Sequence, residues 1–225
     1  MRGWALLTLM VLGCSNLTEG PGGVVELEIS TPAAREVEVG ETLQLTARAL
    51  DRDGNPLDVP ITWLSSDPAL TVDNTGLVTG VAPGEAQIQA SVGSLSSGQI
   101  LLTAIVRADT LLIVSDSVII VPVGAPASAP LAVQLLSFSS ADPLPNRPVV
   151  YTVTSPPDVG QHSVELPGGV LIDTISTGTA GDAGAVTLNR TAIASPDTAI
   201  VQVRSYHASG ADVPGSGQRF IVLFQ

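Results

Sequence analysis

Thr42-Leu43-Gln44-Leu45-Thr46-Ala47-Arg48-Ala49 alternates strictly between apolar and polar side chains. Leu43, Leu45, Ala47 and Ala49 fall on one face; Thr42, Gln44, Thr46 and Arg48 fall on the other. Successive side chains of an extended chain point to opposite faces, so the stretch predicts a half-buried strand. Residues 85–92 repeat the pattern, with Ala86, Ile88, Ala90 and Val92 set against Gln87, Gln89 and Ser91. Segments 25–29, 35–39, 60–64, 77–81 and 99–105 also have strand composition. Asp53-Gly54-Asn55-Pro56, Asp73-Asn74-Thr75-Gly76 and Ala82-Pro83-Gly84 punctuate them as turns. Short strands at this spacing, with no helical period, predict a β-sandwich.

The same style continues to the end of the chain. Segments 110–114, 118–123, 131–136, 149–154, 164–166, 170–172, 185–189, 199–206 and 219–224 predict a second all-β unit. The junction Val106-Arg107-Ala108-Asp109 holds no Gly/Ser run. Two sandwiches joined so briefly are expected to form a semi-rigid rod.

Composition excludes several functions. The chain has 225 residues and a net charge of −12, and every basic side chain except the two histidines is arginine. So acidic a surface repels nucleic acid, and none is expected as a partner. A P-loop, or a Ser-x-x-Lys acyl enzyme, needs a lysine that this chain lacks. Residues 15–106 carry 12 acidic and 3 basic groups; residues 107–225 carry 9 and 5. The first unit is therefore the more acidic.

Three blocks carry a resemblance. Val39-Gly40-Glu41-Thr42-Leu43-Gln44-Leu45-Thr46-Ala47 is one, and Ile61-Thr62-Trp63-Leu64-Ser65-Ser66-Asp67-Pro68 is the second. The third runs Val72-Asp73-Asn74-Thr75-Gly76-Leu77-Val78-Thr79-Gly80-Val81-Ala82-Pro83-Gly84. In order and spacing they resemble a bacterial Ig-like domain of group 2 over residues 24–106. The resemblance implies an Ig-like sandwich, with Trp63 on a central strand filling the space that a disulfide occupies in other Ig domains. In residues 107–225, Asp142-Pro143-Leu144-Pro145-Asn146-Arg147-Pro148-Val149 and Thr177-Gly178-Thr179-Ala180-Gly181-Asp182-Ala183-Gly184-Ala185 resemble, in part, the group 1, invasin-type Ig-like domains. The expected fold is thus all-β, two tandem Ig-like β-sandwiches over residues 24–106 and 107–225.

The N-terminus reads as an address. Met1-Arg2-Gly3 is positively charged, and the nine apolar residues 4–12 are too short to span a bilayer, which takes about 20. Val11-Leu12-Gly13-Cys14 resembles the bacterial lipobox, with Leu12 larger than usual at its position. The resemblance implies a signal peptide over residues 1–13, lipidation of Cys14 and a tether over residues 14–23. It also implies attachment to the membrane through the N-terminal lipid. Ser15 following Cys14 points to outer-membrane sorting if the cell is Gram-negative. Cys14 is the only cysteine, so no intramolecular disulfide can form.

Little here carries chemistry. His162 and His207 are the two histidines, and both are expected to be solvated surface residues; no metal site or cofactor is expected. No G-x-S-x-G elbow accompanies the many serines. Six aromatics follow residue 14: Trp63, Phe138, Tyr151, Tyr206, Phe220 and Phe224. Most fall at core-facing strand positions, which leaves no evident platform for a sugar. Asp51, Asp53, Asn55 and Asp58 place four oxygen-bearing side chains in one loop. A connecting turn is the favoured reading and a weak calcium site the alternative, since Pro56 breaks the calcium-loop pattern and Thr62 stands where a bidentate glutamate belongs.

The expected function is that of a non-catalytic spacer, adhesion or binding module in the bacterial envelope, with a protein or glycan partner. A structural accessory of a larger envelope assembly and a carbohydrate-binding module are the alternatives. Loops 155–163 and 209–218, the longest Gly/Pro/Ser-rich connections, are the candidate contact loops at the end away from the anchor.

Overall fold

The computed structural model describes residues 20–30, 32–139, 142–155, 164–178, 184–191 and 198–225. The first sandwich contains β1 (Glu26–Ile29), β2 (Glu36–Glu38), β3 (Thr42–Gln44), β4 (Ala47–Leu50), β5 (Pro56–Leu57) and β6 (Thr62–Ser65). It continues with β7 (Leu70–Val72), β8 (Leu77–Gly80), β9 (Gly84–Val92), β10 (Leu95–Ser96) and β11 (Ile100–Ile105). The second contains β12 (Thr110–Ile113), β13 (Val118–Val121), β14 (Leu131–Leu136), β15 (Pro148–Ser155) and β16 (Val164–Glu165). Its remaining strands are β17 (Ile172–Ser176), β18 (Gly184–Val186), β19 (Asn189–Arg190), β20 (Thr198–Arg204) and β21 (Arg219–Phe224). No helix among the described residues is long and apolar enough to cross a membrane.

Residues 42–49 form two short strands instead of one. The alternation holds throughout, with Leu45 and Ala49 buried and Gln44, Thr46 and Arg48 exposed. What changes is the neighbour: β3 pairs with β8, and after Leu45-Thr46 β4 pairs with β1. This step joins β1-β4-β5 and β3-β8-β7 into one layer. The facing layer runs β2-β11-β9, with β6 on the far side of β9. Leu45, Leu70 and Val78 from the first layer meet Val37, Ile88 and Leu102 from the second. Fully burying such side chains contributes about 1.5–3 kcal/mol each.

Trp63 does not lie on a central strand. Among the described residues β6 pairs with β9 on one side only, as an edge strand does. The indole is half-buried and packs against both clusters of the first core, Leu45 and Val78 in one and Leu27, Ala49 and Ala90 in the other. A large ring reaching in from an edge thus ties the two ends of this core together. Beneath it, Asp73 shapes the β7–β8 hairpin. Its Oδ1 accepts hydrogen bonds from the Thr75 hydroxyl, the Thr75 N–H and the Leu77 N–H at 2.7, 2.8 and 3.0 Å. These donors, the Thr75 hydroxyl foremost, hold its carboxyl below the ordinary aspartate value. Gly76 closes the turn at φ 83°.

The second sandwich repeats the plan. One layer is β12-β14-β18, the other β13-β21-β20-β15-β17, and β16-β19 forms a small ribbon. In both sandwiches a strand near the start pairs parallel with the last one, β2 with β11 and β13 with β21. The second core is continuous, from Ala108 and Leu111 through Leu131, Val149, Val201 and Phe220. Segment 170–172, expected as a strand, is instead the approach to β17, whose alternating half-exposed pattern is too polar to read as a strand.

Tyr151 crosses this core. Its ring rises from β15, and its hydroxyl reaches the Leu131 and Gly184 carbonyl oxygens of the opposite layer at 2.9 and 2.7 Å. Burial pushes its pKa up, so it remains a donor. Tyr151→Phe would leave both buried carbonyls without that donor, at a cost of about 1–3 kcal/mol. Urea titration should show a lower midpoint at unchanged slope; an unmoved midpoint would mean the bond is worth nothing net.

Candidate functional site

The described residue that most departs from ordinary surface chemistry is Glu38. β2 reads Glu36-Val37-Glu38. Val37 faces the first core, so period two turns Glu38 the other way, where a lone sandwich would meet water. Here the second sandwich covers it, and its side chain is 1% exposed. Burying a carboxylate demands partners, and the second sandwich supplies them. His207 Nδ1 lies 2.5 Å from Glu38 Oε2. Arg147 Nη1 lies 3.7 Å from Glu38 Oε1. Arg147 also donates through Nη2 to the Val106 carbonyl oxygen of the linking segment. Glu41 Oε1 completes the group, 3.6 Å from His207 Nδ1.

Each side chain is set by its local backbone. Gly40, at φ 85°, turns the chain so that Glu41 N–H donates to the Glu38 carbonyl oxygen at 2.9 Å. Gly80 lets this turn approach, since a Cβ there would lie 2.6 Å from the Glu38 carbonyl oxygen. Arg147 is held by Thr177, whose hydroxyl accepts from the Arg147 N–H at 2.9 Å and donates to the Leu144 carbonyl oxygen at 2.6 Å. His207 opens the β20–β21 connection, its N–H donating to the Ala211 carbonyl oxygen at 2.8 Å.

The structure therefore corrects the reading of His207 as a solvated surface residue: its side chain is 4% exposed. It also moves loop 209–218. Because His207 meets Glu38, that loop sits at the junction and not at the far end. It is knitted down as well, with Val213 buried and the Ser216 hydroxyl bonded to both backbone groups of Ser205. Cys14, His162 and residues 156–163 lie outside the described residues.

The acidic loop has a job of its own. Asp51 Oδ1 accepts from the Asn55 and Asp53 N–H groups at 2.8 and 2.9 Å, and Oδ2 accepts from Asn55 Nδ2 at 3.1 Å. Asn55, first through its backbone, holds the Asp51 carboxyl below its ordinary value. Asp53 and Asp58 are exposed. Asp51 and Asn55 thus meet as acceptor and donor, the arrangement of a turn, and calcium would have to displace it.

Of the aromatics, Tyr151, Phe220 and Phe224 are buried and Trp63 is half-buried; Phe138 is exposed on a turn and Tyr206 is exposed at an isolated bridge to Asp212.

Comparison with known families covers the first sandwich. Residues 27–101 match the bacterial Ig-like domain (group 2). Two curated relatives match part of the chain. A lacto-N-biosidase of Bifidobacterium bifidum is 36% identical over 86 residues, 38% of this chain and 8% of that protein. Ice-binding protein 1 of Shewanella frigidimarina is 38% identical over 69 residues, 29% of this chain and 8% of that protein. The chain thus spans under a tenth of the length of either relative. Among solved structures, the Yersinia pseudotuberculosis adhesin InvE aligns at a TM-score of 0.41 and 17% identity, over 88% of this chain and 58% of that one. Fibronectin(III)-like modules of Clostridium thermocellum CbhA align at 0.43 and 15%, over 88% and 94%.

The first sandwich contributes Glu38 and Glu41 to the junction, and the second contributes Arg147 and His207. Sequence reasoning missed this cluster. One signal for it was present: a junction of only four residues forces the two sandwich ends together, and Glu38 points outward at one of them.

Proposed function

We propose that this protein is a non-catalytic module of the bacterial envelope, tethered through lipid on Cys14, in which two Ig-like sandwiches form a stiff rod. The observation that supports the rod is the buried contact of Glu38 with His207 and Arg147. A junction closed by a desolvated ionic contact resists bending more than a solvated linker does. The match of residues 27–101 to the bacterial Ig-like domain (group 2) supports the modular reading. The partner is a protein or glycan met by surfaces held away from the membrane.

Anchoring is tested by Cys14→Ala in intact cells. The variant is expected to leave the membrane fraction for the soluble one, because without acyl chains only the protein surface could bind lipid. Full retention of the variant on membranes would end the lipoprotein reading.

One observation favours the accessory alternative. β13 is an edge strand whose outward side chains Val118 and Ile120 are 50% and 55% exposed. An apolar, uncharged edge is a template for strand addition. Recovery of the protein in a detergent-resistant complex would favour that reading over adhesion.

A further inference from the structure

We propose that Glu38, Glu41 and His207 form a binding site for one divalent transition metal ion of the zinc class, which clamps the two sandwiches. The inference goes beyond the rod itself. It rests on three donor atoms, one from each side chain, that all lie within 4.8 Å of one another.

The separations carry the argument. Ligands of a tetrahedral ion, bound at about 2.0–2.2 Å, stand roughly 3.4 Å apart. Glu41 Oε1 and His207 Nδ1 are 3.6 Å apart, too far for a hydrogen bond and close to the spacing of co-ligands. Glu38 Oε2 and His207 Nδ1 are 2.5 Å apart, with a proton between them, and must open by about 1 Å to admit the ion. Binding at Nδ1 displaces that proton, which the neutral imidazole carries on Nε2 instead. The two carboxylates then offset the ion's charge. Arg147, beside the other oxygen of Glu38, orients the ligand without ligating.

The donor set selects the ion. One imidazole nitrogen and two carboxylate oxygens suit zinc and its neighbours, whereas calcium takes oxygens alone. The frame is rigid: the Gly40 turn fixes Glu38 and Glu41 three residues apart, and the hairpin bond to Ala211 fixes His207. Both sandwiches supply ligands, so the ion binds only when they are docked. Its binding free energy therefore adds to the stability of the junction.

The test is calorimetric titration of chelator-stripped full chain with Zn2+. One equivalent is expected to bind. His207→Ala and Glu41→Gln are each expected to weaken binding at least tenfold, and His162→Ala to leave it unchanged. Glu41 lies at the rim of the cluster, so Glu41→Gln keeps the test valid if His207→Ala disturbs the junction. Absence of Zn2+ binding, or binding that survives both His207→Ala and Glu41→Gln, overturns the site and leaves the docked rod standing. Ca2+ in the same cell is expected to bind at least tenfold more weakly, and equal affinity for Ca2+ would refute the assignment to a zinc-class ion.

Discussion

Glu38→Ala is expected to split one cooperative unfolding transition into two and to lower the stability of the docked pair by about 3–5 kcal/mol. The reason is an asymmetry in buried ionic contacts. Removing the whole cluster for apolar groups could be neutral, but removing its hub strands the other charge. Arg147 and His207 are side chains of the second sandwich, and Glu38 is the carboxylate that meets both. Without it the Arg147 guanidinium stays 16% exposed and faces a cavity. The cheapest response is for the sandwiches to separate and admit water. Each would then unfold at its own denaturant concentration. Chemical denaturation followed by circular dichroism reads this directly. A single transition at the parent midpoint would show that the two units are held by something else. Glu38→Gln keeps the shape and one acceptor oxygen, so its effect should fall between parent and alanine.

Gly76→Val should cost a similar amount, about 4 kcal/mol, for unrelated reasons. Gly76 has φ 83°, a conformation that a β-branched residue avoids. Strain of this kind costs about 1–3 kcal/mol. A Cβ at Gly76 would also lie 2.7 Å from the Leu45 carbonyl oxygen and 2.8 Å from Trp63 Cζ2. Neither can retreat, because Leu45 is buried and the indole is wedged between two halves of the core. Overpacking adds about 1–3 kcal/mol more. Trp63 emission should shift as the ring is pushed toward water. Gly54→Ala separates the two terms. Gly54 has φ 81° but open space where a Cβ would go, so it should cost only about 1 kcal/mol. Equal losses at Gly54 and Gly76 would mean that the Trp63 contact is irrelevant.

Much of the fold was legible because period two survives tertiary context. Residues 85–92 alternate in sequence and in burial alike, and the segments Leu131–Leu136 and Arg219–Phe224 have the same bounds in sequence and structure. β5, β7 and β10 were not legible. They are two or three residues long and exist because a neighbour offers free backbone, as Leu95-Ser96 does when it folds back on Val92-Ser91. The edge position of Trp63 was also hidden, since alternation shows which face is buried but not how many neighbours a strand has. The junction cluster failed to show for the same reason on a larger scale. Glu38 and His207 are 169 positions apart, and each alone reads as an exposed polar residue at a strand end. Only docking one sandwich on the other buries them. The acidic loop folds as a turn because Asp51-x-Asp53-Gly54-Asn55 is a local pattern and its bonds are local.

The parallel pairing of β2 with β11, and of β13 with β21, has a mechanical consequence. In each sandwich the chain enters near one member of the pair and leaves through the other. A pull along the polypeptide drags the two strands past each other lengthwise. All the rungs between them then carry the load at once, as in a lap joint, instead of parting one after another like a zip. A protein pulled from both ends under flow or traction would gain its resistance from that geometry.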